Sequence, residues 1–218
     1  IKDGMEKYDI VAGVILCAMR QEQNSLEVVN LCIEHNDVIG FDLAGPEVGF
    51  SVLNHSEACS LAVENNINVT LHADWEVAEG IKEVVIDSKA KRVGHGSQII
   101  NDIAFNNGEV TFQNTAAQYV FDNNIALEIC PTSNVQCGAY SDVSEHSFGE
   151  LFNAGFNVTI NTDNRLMSDI TMSEEVNNVV ESFGLDKKDI LGITKNTIEA
   201  GFVKPELKNK ALKKLSLS

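Results

Sequence analysis

No stretch of this 218-residue chain reaches the ~18 consecutive apolar residues that a membrane helix needs, and no basic-apolar-small leader opens it. A membrane-spanning helix is not expected, and a cytoplasmic location is. Basic residues are scarce: 16 Lys and Arg stand against 32 Asp and Glu, a formal net charge of −16. An acidic surface repels phosphate backbones and anionic membranes, so neither nucleic acid nor membrane is an expected partner. A neutral or metal-bound small molecule meets no such barrier. The five cysteines, Cys17, Cys32, Cys59, Cys130 and Cys137, include no CxxC pair and are odd in number. Neither a zinc ribbon nor a disulfide scaffold is expected, and reduced, mostly buried thiols are. Linkers, low-complexity stretches and internal repeats are lacking too, so residues 1–218 read as a single domain. The chain opens at Ile1 rather than at methionine and passes almost at once into structured-looking sequence. It reads as a piece of something longer.

What is present is an alternation. Runs rich in β-branched and aliphatic residues, at 10–19, 38–44, 67–72, 91–95, 125–130 and 156–161, predict six strands. Segments of helical period lie between them at 25–36, 56–66, 78–88, 115–124 and 147–155, with Ser25 and Ser147 as N-caps and Gly155 as a helix stop. Beyond Asn161 the pattern is helical only, at 172–184 and 187–201, before a Lys-rich tail. Continuous apolar strands alternating with helices predict a parallel sheet covered on both faces.

The polar residues gather at one end of these strands: Met19-Arg20, Asp42 to Gly45, His72 to Asp74, Gly94-His95-Gly96, Cys130 to Asn134, and Asn161 to Asn164. In parallel α/β proteins the C-terminal strand ends are where ligand-binding residues collect. In a flat sheet of sequential strands, the ends carrying His72 and Asp163 would stand ~14 Å apart at ~4.8 Å per step. Closing the sheet points them toward a common axis, so a (β/α)₈ barrel is preferred over an open sheet. About six of eight βα units are visible, with extra C-terminal helices, and the other two are expected before Ile1.

The motifs LAGPE (43–47), TLHA (70–73), RVGHG (92–96), EICPTSN (128–134) and NVTINTDNRLMS (157–168), in this order and spacing, resemble the C-terminal two-thirds of adenosine deaminase, a zinc-dependent family of the amidohydrolase superfamily. ILCAMR (15–20) resembles its third barrel strand, and the likeness runs from about Ile10 to the tail. The resemblance implies hydrolytic deamination of adenosine or 2′-deoxyadenosine, with one zinc ion per site. His72 and Asp163 match metal ligands, and His95 matches the histidine that orients and deprotonates the zinc-bound water. Gly45 matches a glycine whose backbone meets the purine ring. Asn164 stands where the family commonly has an aspartate in contact with N7, and its amide can donate to that acceptor unprotonated. The chemistry agrees with these residue types: imidazole and carboxylate are ordinary zinc ligands, and a histidine can serve as base or as electrostatic partner.

Two departures stand against the pattern. The family's first two zinc ligands form an HxH, and no HxH occurs in the chain, so weak or absent zinc binding is expected of the chain alone. The HxE plus PCxxC signature of the cytidine-deaminase type of zinc site is absent as well. Where the family reads HAGE, with the glutamate protonating N1 of the purine, this chain reads His72-Ala73-Asp74-Trp75, and Trp75 cannot transfer a proton. Asp74 is the candidate acid, one methylene shorter, and Glu76 lies one position too far along.

Three further expectations follow from the residues. His35, His55 and His146 are expected at the surface, at helix ends or at a helix entry. Asp42 is either an orienter of a site residue or a strand-end turn residue, and the CPTSN run either supports the site's floor or forms a turn. The lysines at 208, 210, 213 and 214 read as a solvated helix face. Alternatives to adenosine deamination are a non-catalytic purine-nucleoside-binding relative, and an adenine deaminase or another purine amidohydrolase. An incomplete barrel also predicts oligomerisation through its open edges.

Overall fold

The computed structural model describes residues 1–8, 10–73, 80–106 and 109–216. Strands β1 (Val14–Met19), β2 (Val38–Ala44), β3 (Asn68–Ala73), β4 (Arg92–His95), β5 (Ile103–Asn106), β6 (Glu109–Phe112), β7 (Ala126–Ile129) and β8 (Val158–Ile160) follow one another along the chain. Six of them form one parallel sheet in the order β1-β2-β3-β4-β7-β8. All six are the strands the apolar runs predict. The first is shorter than expected, because its register on β2 begins at the Val14–Val38 pair. Residues 10–13 carry no regular element, and a helix, Lys2–Tyr8, lies ahead of them.

Helices fill the connections at Ser25–Glu34, Ser56–Glu64, Thr115–Asp122 and Phe148–Asn153, and a short helical stretch at Gly80–Lys82 runs into a π-turn at Glu83–Asp87. The strand residues Phe41, Leu43, Val69, Leu71, Val93 and Leu127 are fully buried in one cluster with Val29, Ala62, Val84, Val120 and Leu151 of these connections. A fully buried Leu or Phe contributes ~1.5–3 kcal/mol relative to exposure, so this layer fixes which strand face points inward. The opposite faces carry polar side chains: Thr70 Oγ1 donates to Glu128 Oε2 at 2.7 Å, and Arg92 Nε meets Glu128 Oε1 at 2.8 Å. That cross-strand network ties β3, β4 and β7 beneath the strand ends.

Three features depart from the sequence expectation. Between β4 and β7 the connection is an antiparallel hairpin, β5–β6, whose Phe112 packs against Phe121 and Phe156 with ring centroids 5.3 and 6.4 Å away. The CPTSN run is not a simple turn: it opens a helix, Pro131–Gln136, with proline at its first turn where no N–H is needed, and its Ser133 and Asn134 line the cavity at the strand ends. Ser25 is not a cap: Asn24 holds that position, and the Ser25 hydroxyl lies 2.9 Å from His55 Nδ1. Ser147 sits at its N-cap position but sends its hydroxyl to the Ser97 carbonyl at 2.8 Å. Gly155 does end its helix, with φ +86°. The C-terminal helices Met172–Phe183, Lys187–Ala200 and Pro205–Leu215 follow, the first two opened by capping boxes at Thr171/Glu174 and Asp186/Asp189. Among the described residues no helix is long and apolar enough to cross a membrane.

Candidate active site

The strand ends deliver three side chains to one place. His72 is the fifth residue of β3, His95 the last of β4, and Asp163 follows β8. In the parallel register His72 lies beside Gly94 and Ala73 beside His95. A Cβ on Gly94 would stand 2.9 Å from Cγ and Nδ1 of His72, so the missing side chain is what lets that ring lie across β4. His95 and Asp163 both have φ in the left-handed region, +62° and +54°, which side chains with a Cβ adopt at a cost. These turns leave His95 Nε2 4.0 Å from Asp163 Oδ2, and the His72 and His95 rings 5.3 Å apart at 65°. Gly45, just beyond β2 with φ +106°, completes the rim. A cavity of about 160 Å³ is lined by Gly45, His72, His95, Ser133, Asn134, Cys137 and Asp163.

Electrostatics divide the two histidines. His72 Nδ1 lies 3.0 Å from Asp42 Oδ1. Burial depresses the His72 imidazolium, but the charge and hydrogen bond of Asp42, with Glu128 and Asp163 behind it, outweigh burial and push its pKa up to about 9. For His95, burial and the positive charge of His72 act in the same direction and bring its pKa down to about 4. One ring carries the charge and the other stays neutral. Asp42 is therefore an orienter of a site residue: it accepts from Leu43 N at 2.7 Å and holds the imidazole from the same oxygen.

The helix Pro131–Gln136 brings in residues that no sequence pattern had marked individually. Ser133 Oγ donates to Asp163 Oδ2 at 2.7 Å, and Asn134 Nδ2 lies 3.2 Å from His95 Nδ1. Fully buried Glu175 reaches from the helix Met172–Phe183 and accepts from both the backbone N–H and the hydroxyl of Thr132. His146, expected as a helix-entry residue, is buried between Asn134 Oδ1 and the Phe148 N–H. His55 is at a helix end but not at the surface, bonded to Ser25 Oγ and the Arg20 carbonyl. Side-chain reach across three strands decides these contacts, and spacing along the chain does not encode it.

Asn164 does not line the cavity. It is exposed and caps the short helix Arg165–Ser168, its Oδ1 accepting from Met167 N at 3.2 Å. Asp74, Trp75 and Glu76 lie outside the described residues. Of the cysteines, Cys32, Cys59 and Cys130 are buried and Cys17 and Cys137 exposed, and all five are free thiols.

For the metal implied by the strand-end motifs, the donor set fits in kind and not in number. His72 has one ring nitrogen held by a carboxylate, the arrangement that orients a ligating imidazole. Asp163 adds a carboxylate to the lining of the same cavity. Yet among the described residues no group of three His, Cys, Asp or Glu stands close enough to hold an ion, and a catalytic zinc takes three protein ligands.

A parallel sheet alternating with helices, with a cavity at its C-terminal strand ends, is the architecture of part of a (β/α)₈ barrel. The chain belongs to the adenosine deaminase family, whose model matches residues 1–217. It is similar to the adenosine deaminase of Mycobacterium ulcerans (strain Agy99), 40% identical over 198 residues, covering 89% of this chain and 54% of that protein. Among solved structures it resembles an adenine deaminase from Arthrobacter aurescens, with TM-score 0.87 at 20% identity over 99% of this chain and 64% of that one. It also resembles a Burkholderia ambifaria amidohydrolase with bound Zn, with TM-score 0.84 at 18% identity over 99% of this chain and 58% of that one. The chain spans about half the length of the curated relatives it matches.

Proposed function

We propose that this chain carries the larger part of a site for hydrolytic deamination of adenosine or 2′-deoxyadenosine. The observation that carries the reading is the convergence of His72, His95 and Asp163 on one small cavity at the strand ends, edged by Gly45. In the overall reaction water adds through oxygen to C6 of the purine, the C6–N bond breaks, and ammonia leaves with the proton gained. His95 orients the attacking water and balances the charge that develops on it. Asp163, tethered by Ser133, and His72, tethered by Asp42, would be two of the ligands of a zinc ion, which when bound would supply Lewis-acid activation of water. The remaining ligands come from outside the described residues. The Gly45 backbone meets the purine ring. Asn164 lies outside the cavity lining with its oxygen committed to the helix cap, which leaves its amide NH₂ as the group that would donate to N7 of a bound purine. Asp74 is assigned as the proton donor to N1.

The test is turnover of adenosine, 2′-deoxyadenosine and adenine by the purified chain with and without added zinc, followed by loss of ultraviolet absorbance and by ammonia release. Turnover of the nucleosides that falls at least ~100-fold in His95→Gln and Asp74→Asn supports the assignment, misplacement of ~1 Å alone being able to cost that much. Adenine turned over in preference to adenosine moves the reading to an adenine deaminase.

A second reading has its own support: Trp75 stands at the place of the acid and no HxH is present. On that reading the chain binds purine nucleosides without converting them, and calorimetry would show adenosine binding with no ammonia released.

A further inference from the structure

His146 and Asn134 lie outside the reacting centre, yet they form a one-way chain of hydrogen bonds that ends on His95. Its direction is set at the far end. Phe148 N is a backbone donor, so His146 Nδ1, 2.9 Å away, is an acceptor and carries no proton. A neutral His146 then has its proton on Nε2, which donates to Asn134 Oδ1 at 3.2 Å. With its oxygen so engaged, the Asn134 amide presents nitrogen to His95, and an amide nitrogen only donates. His95 Nδ1, 3.2 Å away, is the acceptor. All three side chains are buried, at 3%, 1% and 7% exposure, so water does not readily substitute for a lost partner.

We infer that Asn134 and His146 are positioning residues that fix the tautomer of His95, holding its Nδ1 bare and its Nε2 protonated toward Asp163 and the cavity. The consequence for the site is specific. A neutral His95 held in this way begins the reaction as a hydrogen-bond donor to the oxygen or the developing charge, and its facing nitrogen is not a vacant base. Burial, joined by the charge that His95 carries when protonated, brings the pKa of His146 down to about 4, in agreement with a ring that stays neutral. The inference rests on the reading of His95 as the group that faces the reacting atoms, but its test does not depend on turnover.

The experiment is a two-bond ¹H–¹⁵N spectrum of the histidine rings in the purified chain at mildly alkaline pH, with His95 assigned by the signals lost in His95→Gln. The expected result is a protonated Nε2 and a bare Nδ1 on His95, and the same tautomer on His146. A protonated Nδ1 on wild-type His95 overturns the inference without any variant. In Asn134→Asp a carboxylate replaces the donating amide, and the His95 proton is expected to move to Nδ1; an unchanged tautomer in a folded variant overturns the assignment to Asn134. His146→Gln keeps a donor toward Asn134 and should preserve the wild-type His95 signals, whereas His146→Leu frees the amide to turn and should give both tautomers. Identical His95 spectra in those two variants overturn the role of His146. Absence of deaminase turnover alongside the expected spectra would count against the proposed reaction and leave the tautomer assignment standing.

Discussion

Two glycines of this chain should respond to the same substitution with opposite signs. Gly94 borders the His72 ring so closely that a Cβ would sit 2.9 Å from it, with the ring held on its other side by Asp42. Gly94→Ala is expected to cost about 1–3 kcal/mol through overpacking and to displace His72. Gly192 lies inside the helix Lys187–Ala200, and a Cβ there meets nothing within 4 Å. Gly192→Ala should stabilise by about 0.5–1 kcal/mol, because alanine loses less backbone entropy in a helix. Denaturant unfolding of both variants checks the pair, and equal effects would show that the Gly94 contact is readily relieved. His146 supplies the residue-scale pH dependence. Its folded pKa of about 4 lies below the ordinary 6.5, so the unfolded chain takes up a proton that the folded chain refuses. The resulting stabilisation is full above pH 6.5, declines as pH falls, and is gone below about 4. Its size is about 3 kcal/mol at 1.36 kcal/mol per unit. His95 faces His146 through Asn134 and its charge adds to the effect. Urea unfolding from pH 7 to 4 should therefore fall more steeply for the wild type than for His146→Gln, and parallel curves would remove His146 as the cause.

At the scale of elements, the helix Pro131–Gln136 depends on a carboxylate from a distant helix. Glu175 is fully buried and accepts from the Thr132 backbone and hydroxyl, two residues before Asn134 and one before the Ser133 that holds Asp163. Hydrogen bonds to charged groups contribute ~1.5–3 kcal/mol each, and the orphaned donors of Glu175→Ala would stay buried, so a loss of about 2–4 kcal/mol is expected. Glu175→Gln keeps one accepting oxygen and should lose about half as much. Thermal unfolding checks both, and an alanine variant as stable as the wild type would mean that water takes the place of the carboxylate. This element also marks where the sequence stops being legible. All six parallel strands announce themselves as β-branched runs, because a sheet covered on both faces needs continuous apolar residues. The helix at Pro131 hides behind a Pro-Thr-Ser composition that suits turns equally well. The β5–β6 hairpin is set by the packing of Phe112 on Phe121 and Phe156, a contact between residues far apart in sequence. At the site, His72, His95 and Asp163 could be picked out from their strand-end motifs. Asp42, and Ser133 and Asn134 within the CPTSN run, are legible only as one of two alternatives each, and His146 only as a helix entry, since these partners are chosen by approach across strands and around left-handed turns at His95 and Asp163.

At the scale of the whole molecule, the sheet ends on two strands with one neighbour each: β1 pairs only with β2, and β8 only with β7, among the described residues. An unpaired parallel edge presents a row of backbone donors and acceptors that can be met by another chain. Just before β1, Ile10 and Val11 are about half exposed, at 53% and 49%, which adds apolar surface beside that edge. Opposing this is the net charge of −16, which makes any two copies repel. The two effects differ in range. Edge pairing acts at hydrogen-bond distance, whereas repulsion between exposed charges is screened beyond ~10 Å at 0.1 M salt and beyond ~3 Å at 1 M. Self-association of this chain should therefore rise with ionic strength, the reverse of an assembly held by opposite charges. Sedimentation across a concentration series at low and high salt tests this. The expected outcome is a weight-average mass that climbs above the 23.8 kDa of one chain as protein and salt increase. A single 23.8 kDa species at every salt and protein concentration would show instead that the two edges are already protected within one copy.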